Sequence, residues 1–338
     1  MAKKQNIVSG GAVHVCTPNH LAEVIYASVV AEALQAVCAL NMGMQTRALV
    51  SAKWLANMLK RNPVGPSLRI LDTSWYLPSM KRDGKKEFAQ THIPGASFFD
   101  IDECADRTSK FDHMLPSEES FADYVGDLGI GTDSHVVVYD ASDFGAFTCT
   151  RVWWMFRLFG HPQVSVLNGG FRNWVKEGHP VEGTYTRPEP ARFTATTKHR
   201  SSWVKSFEDI TKNITDQEFQ VVDVRPYARF RGKEPEPREG VKPGHIPGSK
   251  CMPFFSFVDN DGMMLSTEEL KKFFEKSKVD LNKPICGSCG SGVTACHLVL
   301  AAHLCGAPEE ASVYDGSWYE WFTKAPPEHV VSEAESKL

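Results

Sequence analysis

Short apolar runs recur along this chain, and each stands beside a segment with helical spacing. Leu68-Arg69-Ile70-Leu71-Asp72, His135-Val136-Val137-Val138-Tyr139-Asp140, Phe219-Gln220-Val221-Val222-Asp223 and Pro284-Ile285-Cys286 read as strands. Val50, Trp54, Leu55, Met58 and Leu59 share one face of a predicted helix, with Ser51 as a candidate N-cap. Phe207, Ile210 and Ile214 form the same stripe farther on. Val152-Trp153-Trp154-Met155-Phe156 reads as a buried helix face. Short strands alternating with helices predict the α/β class, with parallel sheets covered on both faces.

The pattern occurs twice, at a spacing of roughly 150 residues. His92-Ile93-Pro94-Gly95 follows the first Asp-ending strand, and His245-Ile246-Pro247-Gly248 follows its counterpart. Asn168-Gly169-Gly170-Phe171-Arg172-Asn173-Trp174 matches Tyr314-Asp315-Gly316-Ser317-Trp318-Tyr319-Glu320-Trp321. Four matches in one order define two tandem domains, 47–185 and 205–325. The stretch 186–204, with Pro188 and Pro190 and no periodicity, reads as a linker. Residues 1–46 form an extension, and 326–338 a C-terminal tail.

The densest chemistry lies in Cys289-Gly290-Ser291-Gly292-Val293-Thr294, between a strand and the apolar run Ala295 to Leu300. A tight loop opening a helix turns backbone N–H groups inward. With the positive end of the helix dipole they form a cradle for an anion. Such a place favours the thiolate of a cysteine. Gly290 and Gly292 are read as letting the backbone bend around the sulfur. In the first copy the equivalent position holds Asp140, which cannot carry sulfur.

Length and a net charge of −4 fit a two-domain globular protein with no nucleic-acid partner. Nine cysteines, without a disulfide-framework spacing, point to a reducing compartment. The most apolar stretch, Leu21 to Leu40, contains Glu23 and Glu32, and each carboxylate at a bilayer centre would cost roughly 2.5–3.5 kcal/mol. No membrane span is expected. The extension is poor as a presequence, because no arginine precedes Arg47; Met42 and Met44 are possible alternative starts. The expected location is mitochondrion and/or cytoplasm. No dinucleotide, phosphate-loop or paired metal-ligand pattern is present, so neither cofactor nor metal is expected.

The two copies, the His-Ile-Pro-Gly turns, Trp75-Tyr76-Leu77-Pro78, the segment Arg231 to Arg238 and the cysteine loop together resemble the two-domain rhodanese-like sulfurtransferases. The resemblance covers about 47 to 325. It implies two rhodanese-like domains, the second catalytic. Within that family, thiosulfate enzymes carry Cys-Arg-Lys-Gly-Val-Thr. Gly290 and Ser291 here are similar to the members that use 3-mercaptopyruvate. Two cations suit a dianion; their absence suits a monoanionic 2-oxo acid. The resemblance implies a Cys289 persulfide, ping-pong transfer to cyanide or to thiols such as thioredoxin, and hydrogen sulfide release with dithiols. It also implies Arg229 and Arg238 as carboxylate ligands, Gly290, Gly292, Val293 and Thr294 as substrate-loop residues, and Asp102, His113 and Ser291 as a proton-handling set. A monomer or weak homodimer is expected.

Blander readings stand beside these. Alternation along an extended segment would put Arg231 on the same side as Arg229, so the residues alone leave both open. Both Arg229 and Arg238 could be solvated ion-pair partners of the nearby acids. Cys286 and Cys289 could form a redox pair. His92, His245 and His297 read as structural, and Trp153, Trp154, Trp174, Trp318 and Trp321 as core. A thiosulfate enzyme and a non-catalytic sensor are the rival functions. A cysteine phosphatase would need a loop arginine where Ala295 stands.

Overall fold

The computed structural model describes residues 47–61 and 64–333. The extension, Cys16, Cys38, Met42, Met44, the Leu21 to Leu40 stretch and the end of the tail lie outside the described residues.

Two five-stranded sheets form, with every pair parallel. The first has order β1-β5-β4-β2-β3, from Leu49–Val50 (β1), Leu68–Asp72 (β2), Ser97–Phe98 (β3), His135–Tyr139 (β4) and Val164–Leu167 (β5). The second repeats it as β6-β10-β9-β7-β8, from Val204–Lys205 (β6), Gln220–Asp223 (β7), Lys250–Cys251 (β8), Ile285–Ser288 (β9) and Ser312–Tyr314 (β10). Helices α1 to α5 belong to the first copy: Ala52–Arg61, Gly84–Gln90, Glu118–Asp127, Cys149–Leu158 and Gly170–Lys176. Helices α6 to α10 repeat them: Phe207–Asp216, Tyr227–Phe230, Thr267–Lys276, Cys296–Leu304 and Ser317–Lys324.

Local signals explain the ends of these elements. Ser51 Oγ accepts from the Trp54 amide at 3.1 Å and caps α1. Ser206 and Asp209 close a reciprocal capping box on α6. The linker lies along the first copy, where the amides of Ala191 and Thr196 donate to Gly126 and Phe159 carbonyls. The tail residues 326–333 also pack: Val331 pairs with His245, and the His329 carbonyl accepts from Trp321 Nε1 at 3.0 Å.

Strand alternation divides the apolar residues between two faces. Val137 and Tyr139 pack outward with α1 and Trp174; Val221, Cys286 and Tyr314 do so in the second copy. Val136, Val138, Val222, Ile285 and Val313 point inward, into one core shared by both copies. Helices α4 and α9 lie in that shared core. Both are apolar on nearly every face, which is why neither has a polar side to give to water. A partly buried pair between Arg157 and Glu310, at 2.6 Å, also joins the copies.

Register places the two key positions alike. Asp72 stands opposite Tyr139, and Asp223 opposite Ser288. Asp140 and Cys289 therefore each leave the sheet from the same point. The Asp140 carboxylate is buried, and it accepts from the amides of Phe147 (2.6 Å), Thr148 (2.9 Å) and Cys149 (3.1 Å) through Oδ2 and of Ser142 (3.0 Å) through Oδ1. The first copy thus has a loop of amides filled by its own side chain. Asp140→Ala is expected to lower unfolding stability by about 3 kcal/mol or more, because buried donors lose a charged acceptor. Asp140→Asn should recover only part of this, since its one carbonyl oxygen can take the Oδ2 position without the charge while its NH₂ cannot accept from Ser142. An unchanged denaturant midpoint for either variant would contradict this account.

Candidate active site

Cys289 follows β9 directly, and six residues then lead into α9. Its backbone is pinned by α10. The Cys289 amide donates to Ser317 Oγ at 3.0 Å, and its carbonyl accepts from the Trp318 amide at 3.0 Å. The Gly290 carbonyl accepts from the Tyr319 amide at 3.1 Å. Among the described residues, the amides of Gly290 through Ala295 donate to no protein group. Here the amide loop is open where the first copy fills it.

The two glycines of the loop are not equivalent. Gly292 has φ +76°, and a Cβ there would sit 2.5 Å from the Asp315 carbonyl oxygen. Only glycine fits that position without strain. Gly290 needs no such freedom. Its φ is not positive, and a Cβ would meet only Arg238 Nη1, at 3.5 Å. The expectation that both glycines serve the bend is corrected to Gly292 alone.

Cys289 is only 2% exposed, yet it lines a cavity of about 350 Å³ between the copies, as do Gly290, Ser291, Val293 and Thr294. The second copy also contributes Arg225, Arg229, Arg238 and Phe254, while the first contributes Trp75, Tyr76, Phe144 and Phe147. Cys289 is thus shielded from bulk water but borders the cavity.

Across the interface, His113 Nδ1 lies 3.1 Å from Ser291 Oγ, and His113 Nε2 lies 2.9 Å from Asp102 Oδ1. The first copy's loop therefore reaches the cysteine loop. His113 is buried, whereas the Asp102 side chain is 61% exposed. The His113 hydrogen bond holds the Asp102 carboxyl below its ordinary pKa. Trp75 Nε1 donates to Asp102 Oδ2 at 2.9 Å, and its ring meets His113 edge-on at 4.9 Å.

The arginines separate. Residues 227–230 form the single turn α7 rather than an extended segment, so alternation does not apply. Arg229 lines the cavity, and its buried Nε has no hydrogen-bond partner. Arg231 points elsewhere and pairs with Glu333. Arg238 is bound to Asp112 of the first copy through Nε at 2.8 Å and Nη2 at 2.7 Å. It is an ion-pair partner as well as a cavity residue.

Sequence reasoning missed Arg225 and Glu236. Arg225 lies among two buried carboxylates, donating through Nε to Asp223 Oδ2 at 3.0 Å and through Nη1 to Glu236 Oε1 at 2.7 Å. Burial pushes the Glu236 carboxyl up, and Arg225 opposes that. Their one signal was position: Arg225 stands just past the carboxyl end of a central strand, where open α/β sheets gather ligands.

Several residues have structural posts. His92 Nδ1 lies 2.7 Å from the Phe88 carbonyl, and His245 Nδ1 lies 2.8 Å from the Phe230 carbonyl, each ring stacked on that phenylalanine. His297 Nε2 lies 2.9 Å from the Ala146 carbonyl, buried at the interface. All five tryptophans named above are buried. Cys286 packs on the outer face of its sheet while Cys289 faces the shared core, so the two cannot act as a dithiol. Burial pushes the Cys286 thiol up to about 12.

Two copies of one fold, with an open amide loop around a cysteine in only one, define a class that comparison bears out. The rhodanese-like domain model matches residues 51–177 and 206–324, and the chain belongs to that family. It is 52% identical to 3-mercaptopyruvate sulfurtransferase of Homo sapiens over 291 residues, covering 86% of this chain and 97% of that protein. It is also 56% identical to thiosulfate sulfurtransferase of Bos taurus over 288 residues, covering 85% and 96%. Among solved structures, SseA from Escherichia coli, described as a 3-mercaptopyruvate sulfotransferase, superposes with a TM-score of 0.71 at 35% identity, covering 81% of this chain and 99% of that one.

Gly292→Ala should cost more than about 1 kcal/mol and abolish turnover, while Gly290→Ala should fold with an unchanged midpoint. Equal thermal shifts for the two would refute this distinction.

Proposed function

We propose that this protein is a sulfurtransferase that takes sulfur from 3-mercaptopyruvate onto Cys289 and passes it to a thiol or cyanide. The observation that carries the reading is a cysteine on an open amide loop with Gly290 and Ser291, not cations, beside it. Arg229 and Arg238 supply guanidinium groups at the cavity wall for the substrate carboxylate. The Cys289 thiolate attacks the substrate sulfur, a sulfur–sulfur bond forms, and the carbon–sulfur pair leaves on carbon as the enolate of pyruvate. The proton lost from the substrate thiol balances the one the enolate gains. Ser291, His113 and Asp102 are placed to carry it. The loop amides then hold the persulfide anion. In the second half, an acceptor thiolate takes the outer sulfur and Cys289 thiolate leaves. With a dithiol, the second thiol displaces hydrosulfide as a disulfide closes.

Thiosulfate remains the competing donor, because relatives of that name are at least as similar in overall identity. The loop favours the 2-oxo acid. Incubation with 3-mercaptopyruvate is expected to add about 32 Da to the peptide containing Cys289, reversed by dithiothreitol. Cys289→Ser should reduce turnover by at least about a thousandfold. A kcat/KM clearly higher with thiosulfate would overturn the donor assignment. Full turnover by the serine variant would overturn the mechanism.

A further inference from the structure

His113 adopts a left-handed backbone, φ +62°, which a residue with a Cβ holds only when its surroundings impose it. The surroundings here are an ion pair between the two copies. Arg151, on α4, is fully buried. Its Nη2 donates to the His113 carbonyl at 2.9 Å and to Asp315 Oδ1 at 2.7 Å. The other oxygen of Asp315 accepts from the Leu115 amide at 2.8 Å. One guanidinium and one carboxylate therefore grip the backbone at the His113 carbonyl and at the Leu115 amide just beyond it. The same guanidinium reaches the cysteine loop, where Nη1 donates to the Gly292 carbonyl at 3.3 Å.

We propose that the Arg151–Asp315 pair is a positioning device that sets the His113 imidazole against Ser291. It touches neither substrate nor reacting atoms. It fixes the distance between two loops that belong to different copies and that share no covalent restraint nearby. A buried ion pair contributes little net stability, but it fixes geometry through the further groups its members bind; here Nη1 and Nη2 are both engaged, while Nε is buried without a partner. Lysine cannot replace arginine here. An ammonium retains the charge but lacks the planar fork that spans His113, Asp315 and Gly292 together.

The inference rests on the reading that His113 handles a proton for the pyruvate enolate. The test therefore compares a step that needs that proton with one that does not. Arg151→Lys and His113→Ala are made in the full chain. Turnover of 3-mercaptopyruvate is measured beside the rate at which iodoacetamide alkylates Cys289. For Arg151→Lys, kcat is expected to fall about tenfold or more, with KM and alkylation rate within about threefold of the parent. His113→Ala should show the same split, at least as large. If kcat and alkylation of Arg151→Lys fall together, the pair merely supports the cysteine loop and the proposal fails. If neither falls while His113→Ala loses turnover, proton handling stands and the positioning role is refuted. If His113→Ala retains full turnover, the proton reading fails and takes this inference with it. Should Arg151→Lys not fold, Asp315→Asn breaks the same pair from the other side and is judged by the same split.

Discussion

Buried backbone amides without an acceptor are costly, and each copy of this fold ends its central strand in a loop rich in them. The two copies meet that constraint in opposite ways. Asp140 reaches back into its own loop and satisfies four amides, so the first copy is closed to any outside anion. Cys289 stands at the same point with a single sulfur where Asp140 carries a carboxylate. A sulfur anion brings the missing charge only when the thiol is ionised or carries a second sulfur. The proposed chemistry thus follows from leaving undone what the other copy does with a side chain.

The same division shows at the neighbouring strands. Asp72 and Asp223 end equivalent strands. In the first copy Asp72 accepts from Ser74, and burial pushes its carboxyl up to about 7. In the second copy Arg225 answers Asp223 and then Glu236. The copy with the cysteine therefore keeps cations at its strand ends, and the copy without it turns the same edge into an aromatic wall. Neither half makes the cavity alone. The shared core around α4 and α9 makes the two halves one body, so a loop from one copy can be held within hydrogen-bond distance of the other.

The repeat, both sheets and the place of Cys289 were legible because they rest on local signals: strand-ending aspartates, helix stripes and a glycine-bearing loop. His113, Asp102 and the arginines were legible only through resemblance, since nothing near them in sequence says what they face. Arg231 misled because a single helical turn was read as extended chain; four residues carry too little periodicity to tell the two apart. Gly290 misled for a related reason, as composition reveals a glycine but not its φ. Arg225, Glu236 and Arg151 stayed hidden because their partners are set by tertiary packing. A charged residue in an apolar helix such as α4 is a visible anomaly, yet the sequence does not say which carboxylate awaits it.

Overall identity does not separate the two donor classes, since 52% and 56% are each spread over most of the chain, whereas the resemblance implies that the classes differ at the positions of Gly290 and Ser291. Geometry makes those positions matter. A side chain at Gly290 would project toward Arg238 Nη1, with its first carbon already 3.5 Å away. Arg238 is anchored to Asp112 and cannot withdraw without breaking that pair. A second guanidinium at 290 would therefore stand against the first at close range, and like charges in a shielded cavity repel strongly. A loop with cations and a wall with Arg238 are alternative ways of placing positive charge. This chain has the wall: its guanidinium is borne by a separate segment and fixed by Asp112 rather than carried on the cysteine loop, which suits a donor whose carboxylate lies two carbons from the transferred atom.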